Sequence, residues 1–464
     1  MNKPNEKDLV KRIAMLIKHN QELTGLVKEL TVKNEELQKK LDEQIKVTQQ
    51  ISTQSVQSAD EERISKFKMA TVLFADIQGF TKISDLELSH DIIDELDGMF
   101  IQFDNIVSKY KIEKIKTIGD TYMCTGGIPV KNITNPLDVV QAALEMHYLL
   151  YRKANRTLEN GENVWDLRIG IHTGPVTVST FGRKKVAYNI KGDTVNIASR
   201  LQSSGKFGNI TISLMTYELV SEYFICEYCG KMPVKYIGDI EMYNVTGIKP
   251  HLCADGFSHL PNHAYIIKYL LRQFADLQEI ILDMLEKELP RFLLYHNFKH
   301  TIDVVNQVEL IGLGEGVSEE EILLLKTAAL FHDAGHIKGY DNHEFFGTEI
   351  AKEFLPKYKY TDEQIEKICQ LIMATKLPPV PKNTLEKIMC DSDLDYLGRS
   401  DFIPVSNTLF EELKAQNKIT NINDWNKIQV KFISNHQYFT RTANNLREVN
   451  KQLQIERIKK LIVD

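Results

Sequence analysis

No apolar run in this sequence approaches the roughly 20 residues that a membrane-spanning helix requires. Its first residues, MNKPNEKDLV, also lack the pattern of a secretion signal. Both absences predict a cytoplasmic protein with no membrane partner. Cysteine is scarce, at six in 464 residues. That spread excludes a disulfide framework and predicts free thiols. Cys226 and Cys229 form one close pair, in ICEYCGKM, with His251 and Cys253 further along. A structural zinc site needs four ligands, and the preferred reading is two incidental thiols near a strand. An excess of one charge is missing too. The net charge of −6 gives no bulk electrostatic reason to expect a nucleic-acid partner. What remains is 43% apolar and 26% charged, ordinary for a globular protein, and the length suits two or three domains.

Three segments follow from the patterning. Within residues 1–66, Leu9, Leu16, Leu23, Leu30 and Leu37 recur at spacing seven, with Ile13, Asn20, Val27, Asn34 and Leu41 four residues after each. This is the a/d seam of a coiled coil, leucine at d. Asn20 and Asn34 at a positions favour a parallel dimer, in which each pairs with its own copy. Residues 47–66 lose the heptad and read as a linker. Residues 67–250 alternate short β-branched runs with helical patterns. Strands are expected at Thr71–Phe74, Glu113–Ile118, Thr121–Thr125 and Leu167–His172, and helices at Leu86–Tyr110 and Pro136–Arg156. That order suggests an α+β fold with helices on one face of a mainly antiparallel sheet. After TGIKPHLCADGFSHLPN, residues 251–464 read as nearly all helix.

The second segment carries TVLFADIQGFTKIS, IEKIKTIGDTYMCTGG and VAYNIKGDTVNIASRLQSSG in order. In these motifs it resembles the class III adenylyl and guanylyl cyclases, whose domain is of ferredoxin-like α+β type. The resemblance implies that ATP is converted to 3′,5′-cyclic AMP and pyrophosphate. Two Mg²⁺ or Mn²⁺ ions held by Asp76 and Asp120 would activate the 3′-hydroxyl and steady the triphosphate. Arg200 matches the transition-state arginine, Asn196 the ribose-orienting asparagine, and Lys235 the lysine on the triphosphate tail. Lys116 matches the base-reading lysine of adenylyl cyclases; a lysine only donates, which suits adenine N1. Asn189 matches the second base-reading position but departs from the usual Asp or Thr, so GTP stays open as an alternative substrate. In this family one subunit supplies the metal carboxylates and its partner supplies the base, ribose and transition-state residues. A homodimer, joined through the coil and the cyclase interface, is therefore expected.

The third segment carries YHNFKHTIDVV, ALFHDAGH, DNHEFFGTEIA and CDSDLDYLGR. It resembles the all-α HD-domain metal phosphohydrolases, and its first motif also looks like the metal site of class I cyclic nucleotide phosphodiesterases. The resemblance implies divalent metal held by His300, His332, Asp333 and Asp393, with Asp391 as an alternative to Asp393. It places His336 toward a second metal, with His343 a weaker candidate. It makes His296 the general acid and Asp303 a residue that orients a histidine. Hydrolysis of the cyclic nucleotide made upstream is the economical reading; a non-catalytic regulatory module that binds a ligand is the alternative. The residue that would grip a purine is not identifiable in the sequence.

Overall fold

The computed structural model describes residues 63–78, 90–160, 165–181, 187–234, 237–254 and 259–463. The heptad segment, residues 6–45, and Lys235 lie outside these residues.

The second segment builds a mixed sheet. Its strands are β1 (Arg63–Gln78), β2 (Glu113–Ile118), β3 (Thr121–Gly126), β4 (Asp166–Phe181), β5 (Ala187–Lys191), β6 (Ile210–Ser213), β7 (Phe224–Val234) and β8 (Gly238–Ile248). The order is β2-β3-β1-β4-β6-β8-β7, with β5 paired to β4. The β1–β3, β2–β3, β6–β8 and β7–β8 pairs are antiparallel. The β4–β6 pair is parallel, an exception within a sheet whose other registered pairs are antiparallel. Such a pair needs a crossover, here the helix α3 (Asp193–Ser204). The sequence placed β2 correctly and β3 to within one residue. It found only the middle of β1 and the first part of β4, because the rest of each strand lacks a buried, mainly apolar run such as Ala70 to Ala75.

The remaining helices of this domain are α1 (His90–Lys109), α2 (Asn135–Asn160) and α4 (Leu214–Val220). Phe100, Phe103 and Tyr122 form an aromatic cluster between α1 and β3, with ring centroids 5.6 to 6.4 Å apart. Helix α3 lies directly on β4. A Cβ at Gly170 would stand 2.0 Å from the Gln202 nitrogen, so no other residue fits there.

The third segment is helical, as expected. It comprises α5 (His263–Glu288), α6 (Phe298–Glu315), α7 (Glu319–Phe331), α8 (His343–Phe354), α9 (Asp362–Ala374), α10 (Thr384–Asp393), α11 (Phe402–Ala415), α12 (Ile422–Asn435) and α13 (Arg441–Lys459). Side-chain caps start most of them. Ser318 and Thr361 form full capping boxes with Glu321 and Gln364, and Asn262, Asn297, Asn383 and Asn421 cap others. One hydrophobic core runs from the sheet into α5, where Tyr265 packs edge-on against Tyr223 and Phe224.

Candidate functional site

The cyclase residues fall into two groups that point different ways. Register sets the first group. Asp76 lies opposite Thr121 across β1–β3, and the Ile77 N–H donates to the Asp120 carbonyl at 3.2 Å. Two carboxylate residues thus meet at the end of β1 and the tight turn between β2 and β3, where Gly119 takes φ +60. Arg168 on β4 donates to Asp76 Oδ2 at 2.6 Å, and Gln202 on α3 donates to the same oxygen at 2.9 Å. The Arg168 guanidinium also lies 4.4 Å from the Phe207 ring centroid. Neither Arg168 nor Gln202 was singled out from the sequence.

The second group is Lys116, Asn189, Asn196 and Arg200, all exposed. Successive residues of a helix are turned by about 100°. Gln202 touches Asp76, so Arg200 faces the opposite side of α3, and Asn196 shares the side of Arg200. Within one chain Asn196 and Arg200 are therefore turned away from Asp76.

The HD residues, by contrast, converge. The ligand atoms of His300, His332 and Asp393 lie within 4.8 Å of one another, and so do those of His296, Asp333 and His336. Asp333 joins the two groups. Its Oδ2 lies 3.3 Å from His332 Nε2 and 3.6 Å from His300 Nε2, and its Oδ1 lies 3.9 Å from His336 and 3.6 Å from His343. His332 Nδ1 is 2.8 Å from the Ala329 carbonyl. That hydrogen bond puts the proton on Nδ1 and turns a bare Nε2 toward the cluster. His336 is 2% exposed, yet neither ring nitrogen has a hydrogen-bond partner among the described residues. A buried imidazole without partners, beside a carboxylate and stacked on His343 at 4.0 Å, suits a cation that both rings would ligate.

The electrostatics agree with a cation site. Burial opposes charge on His332, but Asp333 and Asp393 raise its pKa well above the ordinary value. Burial also disfavours the Asp333 carboxylate, yet His332 holds its pKa well below the usual range. A proton on His332 supplies, without metal, the positive charge that the buried carboxylates require. Burial pushes His336 down to about 3, leaving it neutral, the form that ligates.

Glu412, unremarked in the sequence, organises the general-acid candidate. Its carboxylate is fully buried and accepts the Tyr295 N–H at 2.9 Å, the His296 N–H at 3.1 Å and His296 Nδ1 at 2.5 Å. Burial disfavours the protonated His296, but the Glu412 hydrogen bond together with the charges of Asp333, Glu412 and Asp393 raises its pKa. Two expectations need correction. Asp391 is not a ligand: it accepts from the backbone of Phe439 and Thr440 and from the Thr440 hydroxyl, pinning the start of α13. Asp303 pairs with Arg399 at 2.9 Å instead of orienting a histidine. None of the six cysteines is in a disulfide.

A cavity of about 570 Å³ opens from the cluster, lined by His296, Asp333 and His336 at one end and by Leu397, Phe402, Phe432 and Ile433 further out. Gln429 is its polar feature on α12. The Trp425 indole N–H, which can only donate, reaches Ser406 Oγ at 3.2 Å. The Ser406 hydroxyl therefore gives its proton to Gln429 Oε1, which fixes the amide's orientation.

Residues 62–247 match the family model for the adenylate and guanylate cyclase catalytic domain, and residues 297–395 match that for the HD domain. Among curated proteins, guanylate cyclase 32E of Drosophila melanogaster is 31% identical over 53% of this chain and 21% of its own length. An adenylate cyclase of Mycobacterium tuberculosis is 33% identical over 40% of this chain and 41% of its own length. The chain thus spans less than half the length of either relative. The crystal structure of the adenylyl cyclase CyaB from P. aeruginosa is 28% identical, covering 40% of this chain and 98% of that one, with a TM-score of 0.37.

Proposed function

From a chain that carries a class III cyclase catalytic domain followed by an HD domain, we propose a dimeric enzyme that makes a 3′,5′-cyclic nucleotide from ATP and hydrolyses a cyclic nucleotide at its second site. The orientation of α3 carries the reading of the first activity. One helix sets Gln202 against its own Asp76 and turns Asn196 and Arg200 outward. A second copy, related by a twofold axis, would present its Asn196 and Arg200 to this chain's Asp76 and Asp120. Divalent ions on those two carboxylates would supply activation of the 3′-hydroxyl and charge neutralisation on the triphosphate. Arg168, already beside Asp76, is placed to meet triphosphate oxygens, and Arg200 of the second copy to meet charge at the α-phosphorus. Lys116 supports ATP, because it offers only donors to the base. Identity to the relatives does not choose the base, since adenylate and guanylate cyclases match alike.

For the second activity, His300, His332, Asp333 and Asp393 would hold one divalent ion and Asp333, His336 and His343 a second, which would supply activation of water and of the phosphoryl group. His296, held through Nδ1 by Glu412, would protonate the leaving oxygen. The apolar slot with its fixed Gln429 amide suits a flat base bearing both donors and acceptors. That supports a cyclic nucleotide over a simple phosphoester.

The test incubates purified protein with Mg²⁺ or Mn²⁺ and either ATP or GTP, resolving products over time. Cyclic AMP that rises and then falls to AMP supports both activities. Accumulation without decay removes the hydrolytic half and favours a regulatory HD module. No cyclic product from either nucleotide, in protein shown to be dimeric, removes the cyclase.

A further inference from the structure

We propose that the two sites are coupled through helix α8, which touches the HD cluster at its first residue and the cyclase domain just past its last. The proposal rests on the two-activity reading above. At the near end, His343 opens α8 with Nε2 3.6 Å from Asp333 Oδ1. The preceding Asn342 sits at φ 59, a left-handed conformation that asparagine tolerates better than most residues. The helix cannot slide here. A Cβ at Gly335 would come within 1.8 Å of the His343 carbonyl and 2.6 Å of the Gly347 nitrogen, so α8 lies backbone to backbone on the turn that carries His336.

At the far end, about 18 Å along the helix axis, α8 runs into the 3₁₀ turn Leu355–Tyr358, where Leu355 is wholly buried. Two polar contacts then reach the cyclase domain. Lys111 Nζ donates to the Lys357 carbonyl at 3.1 Å. Lys359 Nζ donates to the Tyr269 hydroxyl at 3.1 Å and lies 3.8 Å from Asp138 Oδ1. Tyr269 in turn donates to Asp138 at 2.9 Å, and the Thr134 hydroxyl donates to the other Asp138 oxygen at 3.0 Å. Asp138 is 5% exposed.

Both contacts lead to the cyclase carboxylates. Lys111 stands two residues before β2, which carries Lys116 and ends at the Gly119–Asp120 turn. Asp138 stands in the first turn of α2. Three residues earlier, Asn135 accepts the Thr71 hydroxyl at 2.6 Å, and Thr71 is five residues before Asp76 on β1. A purely adhesive contact would need only apolar packing. A buried carboxylate instead demands its partners in fixed places, since losing one leaves an uncompensated charge. Displacement of α8 is therefore not absorbed at this junction; it is passed on or the junction breaks. By linkage, occupancy of either site then biases the other.

The experiment uses the full chain and a double-mutant cycle. His332→Ala empties the HD cluster; Tyr269→Phe and, independently, Lys359→Met loosen the junction without touching either site. The first readout is the rate of cyclic-nucleotide formation. The second is amide hydrogen exchange across residues 113–118, which reports the junction whether or not the cyclase turns over. His332→Ala is expected to change the rate by about fivefold or more and to alter exchange in β2. In either junction variant, the same substitution changes both readouts little. Unaltered β2 exchange on His332→Ala overturns the coupling, as does an effect of equal size in both junction variants. If wild type forms no cyclic nucleotide, the cyclase reading fails and the exchange result alone decides the coupling.

Discussion

The two candidate sites solve the placement of charged groups in opposite ways. The HD cluster is built within one chain, from residues on α6, α7, α8, α10 and the turns beside them, and every one of its ligands is buried or half-buried. His296, His300, His332 and Asp393 are each held by a neighbour, and the unmatched capacity among the described residues lies at His336 and at Asp333 Oδ2. The cyclase residues are split. Asp76 is held by Arg168 and Gln202, while Lys116, Asn189, Asn196 and Arg200 stand in solvent. A buried polar group without a partner is costly, so the first arrangement carries an internal sign of a ligand. An exposed arginine costs nothing, so the second gives no such internal sign. What marks it is direction: α3 turns its chemistry away from the carboxylates of its own chain.

Breaking that contrast at its strongest point gives the largest expected effect. Arg200→Ala removes the guanidinium proposed to meet transition-state charge and should lower cyclic-nucleotide formation by about 10³-fold or more. Asp120→Ala should be as damaging. Mixing the two inactive variants should restore about a quarter of wild-type activity, because half the dimers would be mixed and each would own one intact site. No restoration in mixed dimers, confirmed by tagging the two chains differently, contradicts a site shared between copies. The same mixing at the HD site should restore nothing. Asp333→Ala, which deletes the carboxylate joining both halves of the cluster, should cost hydrolysis at least about 10²-fold, more than the loss of a supporting residue. An Asp333→Ala/Asp393→Ala mixture should stay inactive in the cyclic AMP hydrolysis assay.

Smaller effects sharpen the claim that the HD site is organised from behind. Glu412→Gln should lower hydrolysis by roughly 10- to 100-fold and also move the pH profile. Glu412 raises the His296 pKa, so protonated His296 persists to higher pH while Glu412 is present. Without it the acid is lost sooner, and the alkaline limb of the rate profile should shift to lower pH. A profile that falls in height without shifting would assign Glu412 a structural role only. Ser406→Ala frees the Gln429 amide to rotate and should raise KM for the cyclic nucleotide by up to about tenfold with kcat nearly unchanged.

The sequence was a good guide where local chemistry repeats. Heptads, β-branched runs and the His and Asp motifs are contiguous or nearly so. The β-branched runs placed β2 and β3, and the His and Asp motifs singled out residues that the fold brings together in one cluster, while the heptads lie outside the described residues. It was a poor guide to partners brought by folding. Arg168 reaches Asp76 from 92 positions away, and Glu412 reaches His296 from 116. Gln429 sits in an amphipathic helix whose pattern does not distinguish a base-facing amide from a solvated one. No spacing rule spans such separations, because register and helix packing decide them.

Asp391 and Asp393 are the narrowest form of this difference and yield the smallest prediction. They sit two residues apart at the end of α10, so they are turned by about 200° and cannot both face the cluster. Asp393 lies 3.1 Å from His300, while Asp391 accepts two backbone N–H groups and a hydroxyl at the start of α13. Removing Asp391 would strand those buried donors at a cost of about 1–3 kcal/mol. Asp391→Ala should therefore lower the melting temperature by the same amount with and without a chelator, and leave kcat and KM for hydrolysis near wild type. Asp393→Ala should do the reverse: hydrolysis is lost, and the stability gained from added Mn²⁺ shrinks, because a ligand that binds only the folded state stabilises in proportion to its affinity. If Asp391→Ala instead abolished metal-dependent stabilisation, the two carboxylates would have to exchange roles, and the cluster would have to be rebuilt around the other face of α10.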